Sequence, residues 1–421
     1  EIPLCDWSSD VCSSDLKLSS TWSKIKAWCP SKAGKVKGMD FRISEEHLAV
    51  VDSIEKFARK EMLPLAQALD EKGEFSMPLW RKMGELGYTG LLAGEKYGGS
   101  NLGALGTTMA LEAAGRAGAD QGTLLSWAAH MVISMLNIEH WGNDEQKQKY
   151  LPKMASGEWI GAMALTEPNA GSDASSVTTS ARLQGNKYIL NGTKMFITNG
   201  PICDVVVVIA RSEAGSKGAS GTTAFIVDKT MPGWHSSKKL DKMGLRASPT
   251  GELVFDNCEV PVENVLGEVG MGMKGVAFSG VNWERTILAG HFLGGMEFNI
   301  NECIKYAKGR VQFGRPIASF QTMQHKIVDM AADIEALKLL LYRQAWMIDN
   351  NMPCIKETAL TKSIMGAMML RNADEAIQIF GGYGLCKEYP VERFYRDWKL
   401  ATIGGGTAEV NRDIAARFLF K

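Results

Sequence analysis

No apolar run in this sequence approaches the ~20 residues needed to cross a bilayer. The longest runs, such as Val205 to Ala210, read as buried strands, so no membrane insertion is expected. An excess of one charge is also missing. The 47 Lys and Arg residues balance 47 Asp and Glu residues. Without a basic face there is nothing to follow a phosphate backbone, which excludes nucleic acid as a partner. Cysteine pairs are lacking. Cys5, Cys12, Cys29, Cys203, Cys258, Cys303, Cys354 and Cys386 are scattered with no C-x-x-C among them, and the six histidines are dispersed. That pattern offers neither a metal site nor a disulfide framework, and it fits a reducing intracellular setting. No G-x-G-x-x-G fingerprint follows a strand and no Walker loop is present, so any nucleotide cofactor is held in another way.

What the chain has is length and sharp changes of pattern. At 421 residues it exceeds one compact core. Residues 1–38 look foreign to the rest. They repeat Trp-Ser-Ser-Asp and Cys-Ser-Ser-Asp and resemble translated sequencing adaptor. A targeting peptide is the competing reading, since six lysines lie between Lys17 and Lys37, but no arginine precedes Arg42 and acids are present. A non-native leader ending before Met39 is expected.

Three divisions follow. Residues 39–157 carry His47, Leu48, Val51, Ile54, Phe57 and Ala58 at helical spacing, with Ser44 as a cap; an α-helical domain is expected. In residues 158–267 the period switches to two. Lys187 to Leu190, Asn191-Gly192 and Thr193 to Thr198 read as a hairpin around a primed turn. Further strands are expected at Asp204–Ala210, Thr223–Asp228 and Glu252–Phe255, giving a small antiparallel barrel or sandwich. In residues 268–421 long helices are expected at about Met271–Gly309, Phe320–Asn350 and Ile355–Gly381, with a shorter tail, as a four-helix bundle. The fold class is therefore α+β. Glycines at 272, 275, 280, 290, 294 and 295 weaken the first of these helices. They serve either close helix–helix contact or the approach of a ligand or second subunit.

At the start of the β region, Leu165-Thr166-Glu167-Pro168-Asn169-Ala170-Gly171-Ser172-Asp173 is a turn-rich loop between apolar runs. Its hydroxyls and free N–H groups suit a polar ring edge or a phosphate, although a plain surface loop with Asx and Ser turns has the same composition.

This order of domains, with that loop opening the middle one, resembles the acyl-CoA dehydrogenase family over residues 39–421. The collinear motifs are Tyr97-Gly-Gly, Leu165 to Asp173, Met195-Phe-Ile-Thr-Asn-Gly200, Arg310 to Ile317, Gln378-Ile-Phe-Gly-Gly382 with Tyr389-Pro390, and Gly406-Thr407. The resemblance implies FAD bound between the β domain and the bundle. Carried over by position, Met163, Leu165, Thr166, Gly171 and Ser172 line the flavin and the substrate carbonyl. Phe196 matches an aromatic packed on the flavin, and Thr198 a hydroxyl near its hydride-accepting nitrogen. Two apart on a strand, they share a face; a core aromatic is the alternative for Phe196. Arg310, Gln312, Phe313, Gln378, Gly381 and Gly382 match the adenine and pyrophosphate end, some reaching in from a neighbouring subunit. Thr407 and Glu409 match the last FAD contacts, the latter often glutamine in the family.

The implied chemistry is α,β-desaturation of an acyl-CoA thioester, with a buried carboxylate taking the α proton. In many members that base is a glutamate just before the final Gly-Thr. Here the matching residue is Gly405, which cannot serve. In the isovaleryl-CoA branch the base lies on the first long bundle helix, where this chain has Val281-Asn282-Trp283-Glu284-Arg285-Thr286. Glu284 matches it; a solvated helix-surface carboxylate is the alternative. Asn282, Arg285, Gly404, Gly405 and Ser172 are the implied substrate contacts, with the Gly405 N–H donating to the thioester carbonyl. Gly404 and Gly405 suggest a pocket widened for branched acyl groups. Electron-transferring flavoprotein is the expected electron acceptor and a homotetramer or homodimer the expected assembly, in a bacterial cytoplasm or a mitochondrial matrix. A same-fold oxidase or monooxygenase using oxygen, and a non-catalytic flavin or acyl-CoA-binding relative, are the competing functions.

Overall fold

Ser44 starts the first helix: its hydroxyl accepts from the His47 N–H at 3.1 Å and caps α1 (Glu45–Phe57). This computed structural model describes residues 42–420, so the leader expected over residues 1–38 lies outside it. Six more helices complete the first layer: α2 (Ala66–Lys72), α3 (Met77–Glu85), α4 (Gly103–Arg116), α5 (Gln121–Ala129), α6 (Leu136–Trp141) and α7 (Asp144–Ala155). Asn143 and Gln146 form a reciprocal capping box on α7. The Gln146 amide also donates to Glu263 O at 2.7 Å and Val265 O at 2.8 Å, fastening this layer to the sheet that follows.

The sheet contains β1 (Gly161–Ala164), β2 (Ser180–Gln184), β3 (Lys187–Thr198), β4 (Val205–Arg211), β5 (Thr222–Asp228), β6 (Trp234–Lys239), β7 (Thr250–Pro261) and β8 (Val265–Leu266). Its order is β6-β7-β3-β2-β4-β5-β8, with β1 beside β4. Antiparallel pairs dominate, as expected, but β1 runs parallel to β4 and β2 meets β4 in parallel at Ser180 and Arg211. The end strands β6 and β8 are not paired with each other, so the sheet is mixed and open rather than a closed barrel. Val205 to Ala210 reads as an unbroken apolar run because β4 is buried on both faces. Val205, Val207 and Ile209 join the core shared with the helices, while Val206, Val208 and Ala210 join a second core on the far face.

The hairpin expected at Asn191-Gly192 is not there. The chain runs straight through these residues within β3, and the turn lies earlier, between Gln184 and Lys187. Asn191-Gly192 forms a bulge against β7, with a register shift between Leu190 and Gly192. Gly192 has φ 151° and passes so close to Thr179 that a Cβ would lie 2.5 Å from its hydroxyl. The same dipeptide that favours a primed turn also suits a bulge.

The final layer holds α8 (Phe278–Trp283), α9 (Gly290–Gly309), α10 (Gln321–Asp349), α11 (Ile355–Phe380), α12 (Val391–Asp397) and α13 (Ala408–Leu419). The single helix expected over Met271–Gly309 is interrupted by π turns at Gly272–Ala277 and Glu284–Leu288. Its glycines serve packing. A Cβ on Gly290 would sit 2.4 Å from Thr108 O, one on Gly294 1.9 Å from Glu112 O, and one on Gly280 2.7 Å from the Asn137 amide. α9 thus lies backbone to backbone against α4. Around that contact, Arg116 pairs with Glu297 at 3.1 Å, Lys338 with Glu112 at 2.9 Å, and the Tyr342 hydroxyl donates to Glu112 at 2.6 Å.

Gly294→Ala would push a methyl into the Glu112 carbonyl and separate α4 from α9. A loss at the upper end of ~1–3 kcal/mol is expected, seen as a lowered thermal midpoint. An unchanged midpoint would show that the two helices yield freely.

Candidate active site

The Leu165–Asp173 loop is held by a residue that composition alone did not single out. Glu167 is buried and accepts four bonds: from the Thr178 N–H at 2.7 Å, the Thr178 hydroxyl at 2.8 Å, the Thr179 N–H at 2.8 Å and the Lys194 ammonium at 2.9 Å. Burial alone would raise its carboxyl. Lys194 and the threonine donors outweigh that and hold it at about 2. Lys194 is fully buried and also donates to Leu165 O at 2.9 Å, while the Met195 N–H donates to Thr166 O at 2.8 Å. The loop is therefore laced to β3, and its Pro168, Asn169, Gly171, Ser172 and Asp173 are exposed.

β3 bulges again at this point, with a register shift between Lys194 and Ile197. Phe196 occupies the bulge with φ 60° and is 62% exposed, so it is not a core aromatic. Its backbone is not regular strand, so simple alternation does not describe the Phe196–Thr198 pair. Even so, both are accessible while Ile197 between them is buried. Asn199, with φ 64°, ends the strand by donating to Ser126 O at 2.9 Å and Gly161 O at 3.1 Å. An L-residue pays strain in this backbone region unless its surroundings fix it. A flat apolar ring standing free beside hydroxyls fits an isoalloxazine surface.

Met163 links this loop to the helix carrying Glu284. The Asn137 amide touches the Met163 sulfur at 3.7 Å and packs on Gly280, one helical turn before Glu284. Glu284 opens the π turn and is half-buried. Its carboxylate accepts no hydrogen bond from any described residue. Burial pushes the carboxyl upward, opposed by Arg285 and Lys362. A Cβ on Gly405 would lie 3.4 Å from Glu284 Oε1, so the carboxylate stands beside the missing side chain. Gly405 adopts φ 65°, its carbonyl accepts from Arg285 Nε at 2.9 Å, and its N–H donates to no described residue. A Cβ on Gly404 would meet the Leu400 side chain at 3.2 Å.

Asn282 is buried, its side-chain oxygen accepting from Thr358 at 3.3 Å while its amide nitrogen meets no described partner. Two residues from Glu284, it leaves the helix from a different side. The space at Gly405 is not simply open, because Glu284 fills part of it. Lys362 was missed. It is buried on α11, donates to Ala401 O at 2.5 Å and to Gly406 O at 3.4 Å, and is lowered to about 8 by burial against the pull of Glu284. The available signal was a lysine in phase with Thr358, Met365 and Met369 on the buried stripe of α11.

A second cluster gathers Arg310, Tyr383, Gly381 and Gly382. The Arg310 guanidinium lies 5.6 Å from the Tyr383 ring centre. Gly381 caps α11 with φ 61°, and neither Gly381 nor Gly382 has an atom within 4 Å of where a Cβ would stand. Gln312 and Phe313 are on the adjoining ribbon, Phe313 at its tip and 94% exposed, and Gln378 is exposed. A fixed cation beside open backbone fits a pyrophosphate. Among the described residues no hydrogen bond or ion pair joins this cluster to the Glu284 cleft. Thr407 caps α13 by accepting from the Val410 N–H at 3.2 Å, and exposed Glu409 pairs with Arg412 at 3.4 Å.

Three family profiles match in chain order: acyl-CoA dehydrogenase N-terminal domain over residues 44–158, middle domain over 162–258 and C-terminal domain over 270–420. The chain belongs to the acyl-CoA dehydrogenase family. It is 41% identical over 377 residues to an acyl-CoA dehydrogenase of Bacillus subtilis (strain 168), covering 90% of this chain and 98% of that one. It is 42% identical over 378 residues to the mitochondrial isovaleryl-CoA dehydrogenase of Pongo abelii, covering 89% of each. Butyryl-CoA dehydrogenase from Megasphaera elsdenii shares the fold with a TM-score of 0.87 at 37% identity, over 91% of this chain and 100% of that one. As an acyl-CoA dehydrogenase the chain is a flavin-dependent oxidoreductase acting on acyl-CoA, and FAD is its cofactor. Among the described residues no helix is long and apolar enough to cross a membrane.

The Glu167–Lys194 pair carries a stability prediction. Because the folded carboxyl sits near 2, below its ordinary 4.5, its contribution is complete above about pH 4.5 and is lost as pH falls toward 2. Glu167→Gln strands a buried ammonium and should destabilise by ~3–5 kcal/mol at pH 7. The variant's thermal midpoint should also depend less on pH between 4.5 and 2. Parallel pH profiles for the two proteins would rule this out.

Proposed function

We propose that this acyl-CoA dehydrogenase removes the α and β hydrogens of a short or branched-chain acyl-CoA thioester, with Glu284 as the base. The observation that carries the reading is the placement of the Glu284 carboxylate 3.4 Å from the Cβ position of Gly405. The side chain missing from one element is supplied by another at nearly the same point, so a base is retained although residue 405 has none. The carboxylate is desolvated and unbonded, which makes it a stronger proton acceptor than a solvated glutamate.

FAD, when bound, accepts the β hydrogen as hydride. Phe196, Thr198, Thr166 and Leu165 with Met163 would support the ring, and Gly171 and Ser172 lie on the accessible side of the same loop. Arg310, Gln312, Phe313, Gln378, Gly381 and Gly382 would hold the adenine and pyrophosphate end, and Thr407 and Glu409 the last contacts. The Gly405 N–H, which donates to no described residue, would polarise the thioester carbonyl. Arg285 anchors the loop that carries that N–H by donating to the Gly405 carbonyl on the following peptide. Moving the carboxylate from the loop to the helix changes the wall beside the reacting carbons, which favours branched acyl groups. The match to isovaleryl-CoA dehydrogenases supports the same class.

Electron-transferring flavoprotein is the proposed acceptor. A chain in the structure reported for the electron transferring flavoprotein of Acidaminococcus fermentans shares this fold, with a TM-score of 0.88 and 40% identity. A second reading, direct use of oxygen, draws on the likeness to the prolyl acyl carrier protein oxidase AnaB, at a TM-score of 0.86 and 34% identity. Rapid oxygen uptake by the reduced protein would favour it.

Glu284→Gln should retain FAD yet slow substrate-induced flavin bleaching by at least ~10²–10⁴-fold. In the unaltered protein, bleaching should fall off on the acid side at a pH above the ordinary glutamate value of 4.5, since the proton must leave a raised carboxyl before it can act. A panel of acyl-CoA thioesters identifies the substrate. Normal bleaching by the glutamine variant removes Glu284 as the base, and preference for long straight chains removes the substrate class.

A further inference from the structure

Lys362 is 4% exposed, which for a lysine demands a compensating arrangement. It reaches from α11 under the loop of residues 401–406 and donates to Ala401 O and Gly406 O. Arg285 takes the carbonyl between them, that of Gly405, at 2.9 Å, and the Asn411 amide also donates to Gly406 O at 2.9 Å. The glycine loop is thereby pinned through its carbonyls on several sides. The end of the Lys362 stem and the Glu284 carboxylate flank one point: the Gly405 Cβ position is 3.6 Å from Lys362 Cε and 3.4 Å from Glu284 Oε1.

The ammonium makes no hydrogen bond to Glu284. Two of its three donors engage the loop and none bonds Glu284, so the base keeps its lone pairs free while sensing a nearby positive charge. The charges acting on Glu284 are Arg285 on its own turn and Lys362 from α11. The loop facing it, Ala401 to Gly406, has no charged side chain. Arg285 and Lys362 are not equivalent. Arg285 is the next residue in sequence and leaves Glu284 by a different helix face, whereas Lys362 comes from another helix and depends on the loop being in place.

We propose that Lys362 is a positioning residue for the base: its buried ammonium holds the 401–406 loop against Glu284 and biases that carboxyl toward the charged form that accepts a proton. This rests on the reading of Glu284 as the base. Two functions of one side chain, clamp and charge, can be separated. Lys362→Gln keeps a donor for the loop and loses the charge, Lys362→Met loses both, and Lys362→Arg keeps the charge.

The experiment measures flavin bleaching by acyl-CoA across pH in the FAD-loaded full chain. In parallel, infrared titration of the substrate-free protein follows the carboxyl band that disappears in Glu284→Gln. Removing a favourable positive charge should move the acid limb and the carboxyl midpoint together, upward by about one pH unit in the glutamine variant. FAD content should stay near normal. Lys362→Met should shift likewise and also lose loop order, raising KM, while Lys362→Arg should restore the midpoint. If Lys362→Gln lowers the rate but leaves both midpoints in place, the role is merely structural and the inference fails while Glu284 stands as base. If Glu284→Gln bleaches normally, the underlying reading fails instead. Should both neutral variants lose FAD, the arginine variant decides: a midpoint displaced despite the retained charge overturns the proposal.

Discussion

A carboxylate that must lose its water yet gain no hydrogen bond is the constraint around which this chain is arranged. Taking such a group out of solvent costs several kcal/mol, and a bonded partner would recover the energy only by blocking the lone pairs that chemistry needs. The structure resolves this with cations that are near Glu284 but occupied elsewhere. Arg285 and Lys362 donate hydrogen bonds to loop carbonyls, and glycine at 405 makes room for the carboxylate. The helix that carries Glu284 is held in place by contacts too tight for side chains, between α4 and α9 and between Gly280 and Asn137.

Glu167 is the opposite solution to the same problem. Four donors saturate it, its carboxyl is driven down to about 2, and it has no capacity left for proton transfer. One acid secures the Leu165–Asp173 loop and the bulged end of β3; the other keeps its lone pairs free of any described donor. Environment separates the two glutamates: Glu167 is buried among four donors, whereas Glu284 is half-buried with none.

Much of this was legible in the sequence where a single physical rule applied. The two-sided burial of Val205 to Ala210, the Ser44 cap and the helical spans of α10 and α11 follow from period and capping. Glu284 was legible as a candidate because Gly405 could not do the work. The errors fall where one pattern has two physical outcomes. Asn191-Gly192 suits a turn or a bulge, and only pairing with β7 selects the bulge. Met271 to Gly309 has helical spacing, but spacing does not reveal π turns. Glu167 and Lys194 looked like ordinary charged residues because nothing local announces that residues 27 apart will meet in the interior.

The π turn at Glu284–Leu288 has a wider consequence. Each residue of an α-helix advances the face by about 100°, so an extra residue in one turn offsets everything after it by that amount relative to everything before it. The helix therefore has two phases along one continuous axis. Before the turn, the phase is set by Gly280 seating on Asn137. After it, the phase is set by Phe292, Leu293 and the glycines of α9 seating in the core. The direction of the carboxylate is thus uncoupled from the demands of the packing downstream, and a reactive group can be aimed into a cleft without disturbing the face on which the bundle rests.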